Sequence, residues 1–152
     1  AIQDRSYILD TIEMLKKSEN NQKYKIYAMV APSIGTQFNY ASVEQICTAL
    51  KLLGVYDIFE VALGADITAY KDAHEYAEKS ALMSSCCPSF VEYVNKQFPQ
   101  LACSISVNPS PMVECAKLIK KQEPNSKVIF IGPCISKKNE AKLDRKIMLI
   151  ML

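Results

Sequence analysis

Short β-rich runs alternate with helical stretches along this chain, and each run stops at a loop that carries glycine, proline or cysteine. Tyr24–Ala31 (YKIYAMVA) is stopped by Pro32 and Gly35, and Tyr56–Leu63 breaks at Gly64. Ala81–Ser84 leads into Cys86-Cys87-Pro88, and Lys127–Ile131 ends at Gly132-Pro133-Cys134. Tyr7, Ile8, Ile12 and Leu15 at helical spacing predict a lead-in helix over Ser6–Ser18. Further helices are expected over Val43–Leu53, between a Ser42/Gln45 capping box and Gly54, and over Ala65–Lys79. Two more should run from Pro88 to Gln97 and from Ser110-Pro111 to about Lys121, each with proline in its first turn. Strands that alternate with helices need crossover connections, so the expected fold is α/β: a mainly parallel sheet flanked by helices. Ligands of such folds gather beyond the carboxyl ends of the strands. There the sequence places Ala31-Pro32-Ser33, Ser85-Cys86-Cys87-Pro88 and Gly132-Pro133-Cys134, so separate loops should bring thiols to one edge.

The chain has 152 residues, 49% of them hydrophobic and 22% charged, enough for one compact unit with a substantial core. Net charge is +2, with basic and aromatic residues scattered, which does not suggest a nucleic acid partner. Ala1–Asn20 is charged throughout, unlike a signal peptide, and the late apolar run Ile147–Leu152 is too short to cross a bilayer. Neither a membrane partner nor secretion is expected, and cytoplasmic residence is the default. Six irregularly spaced cysteines in a chain of this size read as reduced thiols, some of them metal ligands, rather than as a disulfide framework.

Cys87 should cap the helix begun by Pro88, where free backbone N–H groups suit a metal-binding sulfur, and Cys134 holds a similar strand-to-loop position. Two thiolates from different strand ends make half of a four-thiolate iron–sulfur site; the alternative is two small buried hydrophobes. Lys137 and Glu140 follow Cys134 at helical spacing, although Ile135–Lys142 also reads as a solvated surface turn that includes Lys138, Asn139 and Lys142. Cys86 reads as a proton carrier, a core residue or half of a vicinal disulfide. Asp72 and Glu75, one turn apart, could pass protons or simply face solvent.

Ser84-Ser85-Cys86-Cys87-Pro88-Ser89-Phe90 resembles the first signature of the FeFe-hydrogenase catalytic domain, usually Thr-Ser-Cys-Cys-Pro-Gly-Trp. The stretch from Gly132-Pro133-Cys134 through Lys137 to Glu140 is similar to its second, usually Met-Pro-Cys-x-x-Lys-x-x-Glu. Val30–Ser33 resembles the loop near the start of that domain, and the similarity runs from about Tyr24 to Lys142. The resemblance implies that Cys87 and Cys134 ligate the cubane 4Fe-4S part of the H-cluster and that Cys86 delivers protons to its di-iron part. Asp72, Ser106 and Glu75 fall where the family's proton path continues, Asp72 being shorter than the usual Glu. Lys137 would hydrogen-bond one iron-bound cyanide and Pro32-Ser33 would approach the other. The implied reaction is the reversible reduction of protons to H2, with a ferredoxin-like carrier supplying electrons.

The family's third signature, which carries the last two cubane cysteines, lies well downstream of the second and is not among these residues. Residues 1–152 are therefore expected to form a single partial domain, the first lobe, inactive alone and prone to self-association through its exposed lobe face. Cys47, Cys103 and Cys115 stand outside every signature and are expected in core packing. Gly132 stands for the usual Met, Ser89-Phe90 for Gly-Trp, and Met112 for a frequent Gln. Competing readings are an iron–sulfur assembly protein related to hydrogenases and a folded remnant without cofactor. Such assembly factors generally lack the relay thiol, so Cys86 favours hydrogenase ancestry.

Overall fold

A computed structural model describes residues 6–144 and 147–150. Its centre is β1 (Ile26–Val30), whose five residues are all buried because helices cover both faces. Parallel strands β2 (Asp57–Glu60) and β3 (Lys127–Ile131) flank it, and β4 (Ile147–Ile150) pairs in parallel with β3, giving the order β2-β1-β3-β4. One face of the sheet, with Tyr27, Met29, Val128 and Phe130, packs on Met112, Cys115 and Ile119 of α6 (Pro111–Gln122). The other face, with Ile26, Ala28, Val30, Ile129 and Ile131, packs on α1 (Ile8–Lys17), α2 (Ile34–Gln37) and α3 (Val43–Leu52). This is the expected parallel α/β architecture.

The Ser42–Gln45 capping box forms in both directions, and α3 gives way to Gly54 at φ 104, a left-handed conformation that suits glycine. Elsewhere the structure departs from expectation. The run expected as a strand to Leu63 stops at Glu60, and α4 (Val61–Glu78) begins at once. Val61-Ala62-Leu63 is too short an apolar run to be told by periodicity from a strand. Gly64 therefore lies inside α4 rather than breaking a strand, because α4 presses on α6: a Cβ at Gly64 would sit 2.0 Å from the carbonyl oxygen of Pro111. One turn later the buried Thr68 hydroxyl reaches the carbonyls of Gly64 (3.0 Å) and Pro109 (3.3 Å).

The expected strand at Ala81–Ser84 is only an isolated parallel bridge between Met83 and Ile105. The run has no β-branched residue and, among the described residues, no neighbouring strand to join. Its hydrogen bonds, Met83 N–H to Ser104 O (2.7 Å) and Ser106 N–H to Met83 O (2.8 Å), still set the cysteine segment beside residues 104–108. The late apolar run, read from sequence only as too short to cross a bilayer, supplies β4 over 147–150; residues 151 and 152 lie outside the described residues. Lys138, expected on a solvated turn, instead lies in a helix, is 5% exposed and sits over the Tyr7 ring at 5.4 Å. Asn139 and Lys142 are exposed as expected.

Two substitutions test this packing. Gly64→Ala should lower stability by about 3 kcal/mol, since helix backbone must move to admit the methyl group. Ser42→Ala should cost about 1 kcal/mol through the lost cap. Urea unfolding followed by circular dichroism measures both.

Candidate functional site

Chain order in the sheet reverses at β1: the connection through α3 leads to β2 on one side, and the connection through α4 and α6 returns to β3 on the other. That switch point leaves a crevice outside the carboxyl ends of β1 and β3. The Ala31–Ser33 and Gly132–Cys134 loops meet there, with Ala31 N–H donating to Ile131 O at 2.9 Å. A Cβ on Gly132 would lie 2.7 Å from the Phe130 ring and 3.2 Å from the Ala31 Cβ, so the ring fills space next to this position. Pro32 is exposed and Ser33 half-buried on the same edge.

The first cysteine loop is shaped by α5 (Pro88–Gln97). Proline at its first position and extended backbone at Cys87 (φ −106, ψ 107) make Cys87 the N-cap, as expected, with its carbonyl accepting from Val91 N–H at 3.1 Å. The second loop runs from Cys134 into α7 (Lys137–Asp144), with Lys137 N–H donating to Cys134 O at 3.3 Å. Two side-chain contacts clasp the loops together. The Lys137 ammonium donates to the Cys86 carbonyl and to Glu140 Oε2, both at 2.7 Å, and the Ser89 hydroxyl donates to Ser136 Oγ at 2.8 Å. Cys87 lies between the two clasped positions 86 and 89, and Cys134 directly precedes the segment that clasps them. All three thiols are free; Cys87 is exposed, Cys86 and Cys134 half-buried. The Lys137 side chain is only 13% exposed, so its charge is committed to this junction rather than to solvent.

The acidic pair does not simply face water. Ser106, 5% exposed, places its hydroxyl 2.7 Å from Asp72 Oδ1 and 2.9 Å from Glu75 Oε2. Lys79, one turn beyond Glu75, bonds Glu75 Oε1 at 2.5 Å, and Val107 N–H adds a bond at 3.2 Å to Oε2. The Lys79 ammonium holds the Glu75 carboxyl below its ordinary value against the upward push of burial, with Ser106 and Val107 assisting. A cavity of about 470 Å³ joins the two halves of the site, lined among others by Ser85, Ser89, Ser106, Asn108, Ser136 and Glu140.

Sequence reasoning missed Lys79 and Asn108. The i,i+4 spacing of Glu75 and Lys79 was a readable signal. Asn108, whose amide reaches both Asp72 and Glu75, carried none. Among the outlying cysteines, Cys115 is fully buried as expected, and burial pushes its thiol up to about 11. Cys47 is half-buried, its thiol also raised by burial first and then by Glu60. Cys103 is exposed instead of packed, because the short 3-10 segment Pro99–Ser104 lies at the surface. Among the described residues no group of three His, Cys, Asp or Glu is placed to hold a metal ion, and no helix is long and apolar enough to cross a membrane.

Residues 24–148 match the family model of the iron only hydrogenase large subunit, C-terminal domain. The chain is 31% identical over 141 residues to iron hydrogenase 1 of Clostridium pasteurianum, covering 79% of this chain and 25% of that protein. It is 26% identical to the cytosolic Fe-S cluster assembly factor NAR1 of Yarrowia lipolytica, over 95% of this chain and 33% of the relative. In three dimensions it is similar to an apo FeFe-hydrogenase HydA1 variant from Chlamydomonas reinhardtii, with TM-score 0.77, 23% identity and coverage of 97% of this chain and 45% of the other. The chain thus spans about a quarter to a third of the length of these two curated relatives. By the match over residues 24–148, it belongs to the iron-only hydrogenase family, within the C-terminal domain of the large chain.

Proposed function

We propose that this chain is the part of an FeFe-hydrogenase catalytic domain that contributes two cluster thiolates and a proton path. The observation that carries the reading is the clasp of the two cysteine loops through Lys137–Cys86 and Ser89–Ser136. It holds the loop of Cys86 and Cys87 against the loop of Cys134, with a free exposed thiol, two half-buried thiols and a largely buried ammonium on the two loops. Sulfur donors of this kind suit iron–sulfur ligation, and a fixed ammonium suits an anionic ligand held out of water.

In this reading Cys87 and Cys134 would be two of the thiolates that hold a 4Fe-4S cubane, and the remaining thiolates would come from outside these residues. The bound iron centre, with its di-iron part, supplies the redox chemistry by which two protons and two electrons become H2. Every other part belongs to this chain. Lys137, with one N–H on the Cys86 carbonyl and one on Glu140, would offer its third to an iron-bound cyanide, and Pro32-Ser33 would border the same crevice. Cys86 carries a proton at its sulfur, and Asp72, Ser106 and Glu75 move it between that sulfur and the Lys79 end of α4. Asp72, Ser106 and Glu75 stand at hydrogen-bond distance, as a relay requires.

Anaerobic reconstitution with iron and sulfide tests the ligand assignment. Iron bound to the parent chain should fall at least about tenfold in Cys87→Ala and in Cys134→Ala and stay unchanged in Cys103→Ala. Equal iron in the parent and both ligand variants would end the assignment. Because two thiolates are half a cubane set, the 152-residue chain should evolve no H2 even after a di-iron precursor is supplied. Iron binding by a Cys86→Ala variant that also supports cluster transfer to an acceptor protein would favour an assembly role like that named for NAR1.

Alkylation at pH 8 reads the thiols independently. Cys87 and Cys103 should react first and Cys115 only on unfolding, since it is buried and its thiol is pushed up to about 11. Iron loading should protect Cys87 and Cys134 and leave Cys103 reactive.

A further inference from the structure

Two carboxylate oxygens, Asp72 Oδ1 and Glu75 Oε2, are bridged twice. Ser106 Oγ spans them at 2.7 and 2.9 Å, and the side-chain amide of Asn108 spans the same two atoms at 2.9 and 3.0 Å. The two bridges differ in hydrogens. An amide nitrogen carries two, one for each carboxylate; a hydroxyl carries one, which can serve only one carboxylate at a time. The backbone N–H of Asn108 also donates to Ser106 Oγ at 3.0 Å, occupying one of its two lone pairs. Ser106 is left with one hydrogen and one lone pair, directed at two carboxyl groups.

From this geometry we infer that Asn108 is the positioning residue of the proton path, a fixed amide clamp that keeps Asp72 and Glu75 in line while the Ser106 hydroxyl reverses between them. The inference rests on the relay reading of these residues. A proton on Asp72 is donated to Ser106 Oγ as the Ser106 hydrogen passes to Glu75. One O–H bond breaks and one forms at each step, and one proton is displaced from Asp72 to Glu75. Throughout, the amide keeps one N–H on each carboxyl, so neither swings away when the hydroxyl turns. Asp72 is one methylene shorter than glutamate, and the amide supplies the tether that a shorter side chain needs.

Asn108 is itself held. Its backbone carbonyl accepts from the Ser85 hydroxyl, next to Cys86, and Pro109 restricts its backbone while the Pro109 carbonyl meets the Thr68 hydroxyl. One residue thus links the acid pair to the cysteine segment. The cation paired with Glu75 is Lys79, on α4 itself; Lys71, also on α4, pairs with Glu114 of α6 at 2.8 Å, and residues 103–110 carry no charged side chain.

The test uses the cofactor-free chain and reads the carboxyl groups of Asp72 and Glu75 by ¹³C NMR across pH, with Asp72→Asn and Glu75→Gln for assignment. Asn108→Ala should raise both titration midpoints by about half a unit or more, since each ionised carboxylate loses a donor, and leave the exposed Asp66 of α4 unmoved. Asn108→Asp, which keeps the size and exchanges the donor for an acceptor, should raise both further, and it decides the matter if the alanine variant does not fold. Midpoints of Asp72 and Glu75 that move no more than that of Asp66 in either folded variant would overturn the clamp. Loss of proton delivery in Cys86→Ala, measured in the full cluster-loaded domain, tests the relay separately, so the two ideas fail by different results.

Discussion

Contact between α4 and α6 at Gly64 underlies the rest of the site. Without a side chain there, the first turn of α4 rests against the Pro111 carbonyl, and Thr68 bonds back toward Pro109. This approach sets the angle at which the rest of α4 leaves the sheet. Asp72 falls about two turns and Glu75 about three turns farther along, and both reach the 106–108 segment, which leads into α6 through Pro109 and Ser110. Glycine inside a helix costs roughly 1 kcal/mol relative to alanine, and the close helix packing offsets it.

Polar contacts then connect pieces that hydrophobic packing leaves separate. The cysteine segment belongs to no strand; it is held by the Met83–Ile105 bridge, by Ser85 on the Asn108 carbonyl and by Lys137 on the Cys86 carbonyl. A partly buried ammonium is tolerable at that junction because two oxygens at 2.7 Å, one of them a carboxylate, replace its water. The same logic holds for Glu75, whose carboxylate is met by Lys79, Ser106, Asn108 and a backbone N–H. Such satisfied networks hold their members in one geometry.

Departures at single positions change the lining of the crevice. Gly132 leaves room that the Phe130 ring occupies, and Met112 is fully buried in the core under β1 and β3.

Much of this was legible from residue order alone. Alternating runs implied parallel strands and covering helices; the Ser42/Gln45 pair, Gly54 and Pro88 marked helix ends, because capping is decided by a few neighbouring residues. The two cysteine signatures named Cys86, Cys87, Cys134 and Lys137. Short apolar runs were not legible: Val61–Leu63 became helix, Ala81–Ser84 became a single bridge and 147–150 became a strand. In each case the state depends on which neighbour is available for pairing, and that neighbour lies far along the chain. Local chemistry therefore settled the caps, and the alternation of runs settled the fold class. Only folding decided that Asn108 would meet two carboxylates more than thirty residues away and that Lys138 would be buried, since hydrogen-bond partners across such separations exist only once the helices have packed.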